Sequence, residues 1–167
     1  MQFLARGSAT PSALPAGAHF ADEGDVAGRV VVLAAPAGVR CAVMGGLVAA
    51  RLARRGAVGA VVGGRVRDVP ELPAAWDVWA TGVSTVGAGA ETKAVAVGVD
   101  VDVQGVRVCA GDVVFADSAA GAVVVIPAGL VAKAVGLLGA LVEADRKVGI
   151  EVERGMGLAE AFKMHRG

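Results

Sequence analysis

In the first half of the chain, two apolar runs lie on either side of one amphipathic segment. Residues 29–35, RVVVLAA, are β-branched and apolar between a glycine and a proline, which predicts a buried strand. In residues 45–56 the apolar positions recur at helical spacing and three arginines fall on the other face, which predicts an amphipathic helix. Residues 59–63 predict a second buried strand. This order of strand, helix and strand indicates a parallel pair with a right-handed crossover.

Short β-branched segments separated by glycine-containing turns follow residue 73. They predict strands over residues 78–80, 83–86, 94–103, 106–109, 112–116 and 122–126. Helical periodicity returns from Gly129, and the segment LAEAFKMHR predicts a short final helix. The pattern therefore predicts an α/β fold with a β-rich centre flanked by helices.

The first 20 residues interrupt this pattern. The stretch TPSALPAG is typical of a surface loop, so residues 1–20 are expected to be loop-like. Their single basic residue, Arg6, and lack of acids also occur in transit peptides, but the segment has no continuous apolar core and the loop interpretation is favoured. With 167 residues, we expect a single domain over residues 1–167.

Composition narrows the classes of function. The chain is 55% hydrophobic and 19% charged with 25 glycines, as expected for many short buried strands joined by tight turns. Sixteen basic and sixteen acidic residues cancel, so no net field attracts nucleic acid or an anionic membrane. Cys41 and Cys109 have no metal-ligand spacing, which favours small buried thiols in a reducing compartment, the cytoplasm.

The first candidate site is the glycine pair at the start of the predicted helix. Unpaired backbone N–H groups of Gly45, Gly46, Leu47 and Val48 would point at whatever lies in front of them, and the glycines would let a carboxylate or phosphate approach closely. A plain glycine helix start explains the same residues.

The second candidate is Arg67–Asp68, which follows the second predicted strand. The guanidinium is a planar fork that matches a carboxylate, and the aspartate offers hard oxygen to Mg²⁺ or Mn²⁺. Taken alone, the pair is better explained as a surface ion pair, or as an aspartate that caps the turn before Pro70. In a strand–helix–strand unit, however, both candidate loops lie at the carboxyl edge of the sheet, where ligands usually bind. Together they suit enolate chemistry on a pyruvate-like group.

The segments GGLVAARLARRGAVGAVVGGRVRDVPEL and GVRVCAGDVVFADSAAGAVVVIP carry a resemblance to a known family. From about residue 20 to its end the chain resembles the regulator of ribonuclease activity A family, which includes the 4-hydroxy-4-methyl-2-oxoglutarate aldolases, and is most similar to the fungal-type branch. The resemblance implies a swivelling-type β/β/α domain and a homotrimer, or a dimer of trimers, with sites at subunit contacts. It also implies a class II lyase that uses Mg²⁺ or Mn²⁺ to cleave the hydroxy-methyl-oxoglutarate into two pyruvates and to decarboxylate oxaloacetate.

Site roles follow from the same resemblance. The amides of Gly45, Gly46, Leu47 and Val48 would bind the carboxylate of an α-keto diacid, Arg67 would bind the pyruvyl end, and Asp68 would hold the metal. Arg67 and Asp68 are thus the expected catalytic residues.

The chain departs from the family pattern at three points. Gly46 and Gly63 stand where many members have acidic residues, and the chain begins inside the family's usual amino-terminal region, so we expect a shortened member. Two alternatives to the lyase follow: a non-catalytic regulator that binds an endoribonuclease, or a trimeric scaffold with a vestigial site. Direct contact with nucleic acid or a membrane is not expected.

Overall fold

The structure of the protein, a computed structural model, describes residues 1–167. The chain divides into two compact units, Met1–Val125 and Ile126–Gly167. A six-stranded sheet forms the centre of the first unit, and two helices make up most of the second. This arrangement confirms the predicted α/β class with its β-rich centre.

The sheet of the first unit is mostly parallel. Its strands are β1 (Gln2–Ala5), β2 (Val30–Ala34), β3 (Ala42–Met44), β4 (Gly59–Val66), β5 (Asp77–Val83) and β6 (Thr92–Ala96). They run in the order β3-β4-β2-β1-β6, with β5 also paired to β4, and only β6 runs antiparallel to its neighbour. Leu33 of β2 and Val62 of β4 are almost wholly buried in the main core.

Two hairpins follow the sheet. They are formed by β7 (Val101–Val103) with β8 (Val106–Val108), and by β9 (Val113–Asp117) with β10 (Ala122–Ile126). The turn between β7 and β8 has positive φ at both Gln104 and Gly105, the geometry that two-residue hairpin turns favour, so the turn predicted at VQGV is confirmed.

The helices are α1 (Gly46–Arg54), α2 (Val131–Glu153) and α3 (Leu158–His165). Ala49 and Leu52 of α1 are fully buried against the sheet, whereas Leu47 is 81% exposed. Although α2 has 23 residues, neither it nor another helix combines the length and the hydropathy of a membrane span.

Four predictions of secondary structure were wrong in detail. Residues 1–20 are not all loop, because β1 lies between β2 and β6 and buries Phe3. The single strand predicted over residues 94–103 is broken by a turn at Gly98, whose φ of 71° interrupts the extended backbone. Residues 78–80 and 83–86 do not form two strands, since β5 runs through Asp77–Val83. The short strand β3 was not predicted at all.

The chain enters β3 through a segment that Glu91 anchors. Its Oε2 accepts hydrogen bonds from the backbone N–H groups of Arg40, at 2.5 Å, and Cys41, at 2.9 Å. These two bonds stabilise the charged carboxylate and lower the pKa of Glu91 below its usual range. The start of β3, and therefore the glycine pair that follows it, is held in place by a charged group.

Candidate functional site

The candidate site begins where β3 and β4 end side by side. Met44 is paired with Val66 across the two parallel strands, and the N–H of Arg67 donates a hydrogen bond of 3.0 Å to the carbonyl of Met44. Gly45 and Arg67 are the next residues along each strand. The two predicted loops therefore do meet at one edge of the sheet, although the strand that leads into the helix is β3 and not the predicted strand over residues 29–35.

Gly45 leaves room for the side chains of Arg67 and Asp68 beside the start of α1. It is the N-cap of α1 in an extended conformation, and a β-carbon built on it would lie 2.8 Å from Asp68 Oδ2 and 2.9 Å from Arg67 Cγ. Both distances are shorter than real β-carbon contacts. A side chain at this position would displace the Arg67 and Asp68 side chains, so the glycine does more here than start a helix.

The first turn of α1 presents backbone donors at this edge. The N–H groups of Gly46, Leu47 and Val48 have no partner within the helix, as at the start of any α-helix, and Gly45 has no side chain to cap them. The first turn contains no acidic residue. This end of α1 therefore offers amides and a positive dipole to an anion.

Arg67 and Asp68 form a loose pair beside these amides. Arg67 Nε lies 3.6 Å from Asp68 Oδ2, and the two side chains are 43% and 34% exposed. An exposed pair at this distance contributes about 0–1 kcal/mol, so little is lost when either group turns to a ligand.

Asp68 does not cap the turn that follows it. Its side chain makes no capping hydrogen bond to the 3-10 turn Val69–Glu71, and the contact there is between the N–H of Glu71 and the carbonyl of Asp68, at 2.8 Å. The capping interpretation is therefore wrong. Asp68 also lies in the left-handed region, with φ of 55° and ψ of 43°, a conformation that aspartate and asparagine adopt more readily than most residues.

Glu71 is a member of this cluster that the sequence did not single out. A β-carbon on Gly46 would lie 2.7 Å from Glu71 Cβ and 2.9 Å from Glu71 Oε2, so the glutamate side chain fills the space over Gly46. The sequence carried no clear signal for this contact, because it depends on the 3-10 turn Val69–Glu71 and on the left-handed backbone at Asp68. A carboxylate thus lies against the position where the resemblance implies an acidic side chain.

The donor set fits one kind of metal ion. Asp68 and Glu71 offer hard carboxylate oxygens, and the chain contains no group of three or more histidine, cysteine, aspartate or glutamate side chains that could hold an ion. A closed zinc site needs such a group, whereas Mg²⁺ is usually held by one or two carboxylates together with water and substrate. The residues present therefore fit Mg²⁺ or Mn²⁺.

The cluster lies on an open edge of the sheet. Two clefts of about 390 and 340 Å³ occur elsewhere in the first unit, and neither is lined by residues 45–48, 67 or 68. Gly63 is not part of the cluster either, because a β-carbon there would meet Val103 of the β7–β8 hairpin at 2.9 Å.

The fold and the site together define a class of protein. It is an α/β domain in which one parallel strand leads into a helix that starts with glycine, and its neighbour leads into an arginine–aspartate pair. A family model described as RraA-like, Aldolase/RraA, matches residues 17–125, well over half of the chain. The chain therefore belongs to the RraA-like family, which includes aldolases and decarboxylases as well as ribonuclease inhibitors.

Solved structures agree with this family. RraAS2 of Streptomyces coelicolor, described as an unusual member of the RNase ES inhibitor RraA protein family, is 26% identical, with a TM-score of 0.68 over 92% of this chain and 74% of that one. The RNA-processing inhibitor RraA from Thermus thermophilis is 28% identical over 62% of each chain, with a TM-score of 0.52. An uncharacterized protein from Pseudomonas syringae pv. tomato shares the fold, with 22% identity and a TM-score of 0.69 over 96% of this chain and 73% of that one. No curated protein matches the sequence.

Proposed function

We propose that this chain is a divalent-metal-dependent lyase that releases pyruvate from short α-keto diacids. Its reactions would be the cleavage of 4-hydroxy-4-methyl-2-oxoglutarate into two pyruvates and the decarboxylation of oxaloacetate. The observation that supports it best is the meeting of Arg67, Asp68 and the first amides of α1 at the ends of β3 and β4. A cationic fork, a metal-binding carboxylate and an anion site within one cluster are what a keto acid and its cation require.

Each group has a task in this reaction. The amides of residues 45–48 bind the substrate carboxylate, and the Arg67 guanidinium binds the pyruvyl end that becomes negatively charged. Asp68 holds the cation, which when bound supplies a Lewis acid for the same developing charge.

The two substrates differ only in the piece that leaves. In the aldol substrate the C3–C4 bond breaks, the C4 hydroxyl loses its proton to form one pyruvate, and C3 gains a proton to form the other. In oxaloacetate the C3–C4 bond breaks, carbon dioxide leaves, and C3 takes up the proton. In both, the guanidinium of Arg67 would stabilise the enolate that precedes protonation.

The proposal is tested by pyruvate release from oxaloacetate, measured with Mg²⁺, with Mn²⁺ and with EDTA, after subtraction of the rate that the metal gives without protein. We expect a rate that needs the cation, and a fall of roughly 10- to 100-fold in kcat/KM for Asp68→Asn because the metal is held less tightly. Asp77→Asn is the matched control, since Asp77 is exposed at the opposite end of β5, level with the start of β4. A rate that EDTA leaves unchanged would end the lyase proposal.

We further propose that the protein is a homotrimer. Leu47 is exposed beside the candidate site, and along α2 large apolar side chains are 50–66% exposed in the single chain: Val135, Leu137, Leu138, Leu141 and Val142. Apolar surface of this kind is usually covered by a partner. Light scattering during gel filtration is expected to give three times the 16.5 kDa mass of one chain, or six times for a dimer of trimers, and a monomer would contradict it.

The alternative function is a regulator that binds an endoribonuclease, which the similarity to two inhibitors favours. Regulation of this kind acts through surface contact and does not depend on the carboxylate of Asp68. The alternative therefore predicts inhibition of ribonuclease cleavage that Asp68→Asn and EDTA leave intact, together with no pyruvate release.

A further inference from the structure

We infer that Glu91 is a positioning residue of the candidate site, because its carboxylate fixes the segment that leads into Gly45 and the first amides of α1. This inference rests on the proposed function, and it concerns how well those amides bind the substrate carboxylate. The Glu91 side chain binds residues 40 and 41, ahead of β3, so it acts on the site only through the backbone.

The strand β3, which leads into the glycine pair, is short and weakly paired. It has three residues, and its pairing with β4 is limited to two residue pairs, Ala42 with Arg65 and Met44 with Val66, with an irregularity between them. On the other side of β3, Ala42 forms an isolated bridge with Gly87. Since strands of roughly five or six residues are usual, β3 has fewer ladder hydrogen bonds than most strands to hold it in place.

Glu91 supplies two strong hydrogen bonds directly ahead of this strand. Its Oε2 accepts from the N–H groups of Arg40, at 2.5 Å, and Cys41, at 2.9 Å, the two residues that precede β3. Hydrogen bonds to an ionised carboxylate are roughly twice as strong as those between neutral groups. Cys41 is fully buried, so its N–H would have no partner without Glu91.

The backbone of Glu91 is itself held on both sides. Its carbonyl accepts a hydrogen bond of 2.8 Å from the N–H of Arg6, and its N–H donates one of 3.3 Å to the carbonyl of Ala88. The hydroxyl of Thr92, which is almost wholly buried, donates to the same carbonyl at 2.9 Å. Glu91 therefore ties the start of β3 to the well-anchored start of β6.

A displacement at the start of β3 reaches the site because only this strand separates Cys41 from Gly45, and Gly45 already lies against the Arg67 and Asp68 side chains. Molecules in which the segment has moved cannot present the first amides of α1 to a carboxylate. The apparent affinity for substrate then falls with the competent fraction of the protein. Because substrate binds the competent molecules, kcat changes little.

The inference is tested with Glu91→Gln, which keeps an acceptor oxygen and removes its charge. We expect the KM for oxaloacetate to rise about fivefold or more, the equivalent of one lost hydrogen bond, while kcat stays within about twofold. Glu153→Gln is the matched control, because Glu153 is exposed at the end of α2 and its side chain has no hydrogen bond or ion pair, and we expect both constants to stay unchanged. If Glu91→Gln lowers Tm and leaves KM unchanged, the carboxylate only stabilises the fold and the inference is overturned.

Amide hydrogen exchange gives a second readout that needs no activity. The N–H of Arg67 is bound to the carbonyl of Met44, at the end of β3, and the N–H of Ala49 closes the first turn of α1. In Glu91→Gln we expect exchange of these two amides to become about fivefold faster, while exchange of Val58, just before the other end of β4, stays within about twofold. Equal acceleration at all three amides would mean a global loss of stability and would overturn the inference. If the wild-type chain releases no pyruvate, the proposed function fails, and amide exchange alone then decides whether Glu91 positions this turn.

Discussion

Replacing Arg67 with alanine is expected to lower kcat/KM for pyruvate release about 100- to 1,000-fold, the size seen when a group that stabilises transition-state charge is removed. The guanidinium lies beside the amides of α1 and is 43% exposed, so it can bind the pyruvyl end directly. Arg67→Lys is expected to recover only part of the loss, because an ammonium lacks the planar fork that matches a carboxylate.

Arg65 provides the matched control for Arg67. It lies two residues earlier on β4, and its Nη1 donates a hydrogen bond of 3.2 Å to the carbonyl of Val83. Arg65→Lys removes the same planar fork two residues away, and we expect kcat/KM to stay within about threefold, since only a surface contact is altered. If Arg67→Ala keeps the wild-type rate, the guanidinium does not act on the substrate.

Replacing Gly45 with alanine is expected to abolish most of the activity without unfolding the protein. The added methyl group would collide with Asp68 and Arg67 at once, and displacements of about 1 Å in a reacting cluster can cost 100-fold in rate. The backbone itself is not strained, since φ at Gly45 is −136°, a value that alanine adopts freely. Kinetics and thermal unfolding measured on one preparation would separate the two effects.

Gly87 is the corresponding control for Gly45. It too is an extended N-cap, of the 3-10 turn Ala88–Ala90, but a β-carbon there meets nothing within 4 Å. Gly87→Ala should therefore leave both activity and stability nearly unchanged. Full activity in Gly45→Ala would mean that the Arg67 and Asp68 side chains move aside without loss of function, and the prediction would then be wrong.

The long, strongly patterned elements were the predictable part of the fold. The strand over residues 29–35, the helix α1 and the strand β10 were all correct to within a residue or two, because β-branched runs and helical spacing are local signals. The strand β3 was missed because three residues, AVM, are too few to show a period of two. The strand β1 was missed because its partners are distant in sequence.

The candidate site was predictable only in part, because some of its contacts join residues that are distant in sequence. The glycine pair and Arg67–Asp68 were expected together because loops after neighbouring parallel strands lie at one edge of the sheet, but the strand before the glycine pair is the unpredicted β3. The roles of these residues stay predictions until the variants above are measured. Glu71 could not be found in this way, since its contact with Gly46 depends on the 3-10 turn and on how tightly β3 and β4 approach.

The left-handed backbone conformation at Asp68 restricts which residues can replace it. A residue other than glycine, asparagine or aspartate in that conformation lowers the stability of the fold by roughly 1–2 kcal/mol. Of these three residues only aspartate is negatively charged, so it alone satisfies both the backbone conformation and the proposed cation site. Most other substitutions at this position would therefore weaken the fold and the proposed metal site together, whereas asparagine removes the charge and keeps both the conformation and nearly the same side-chain shape.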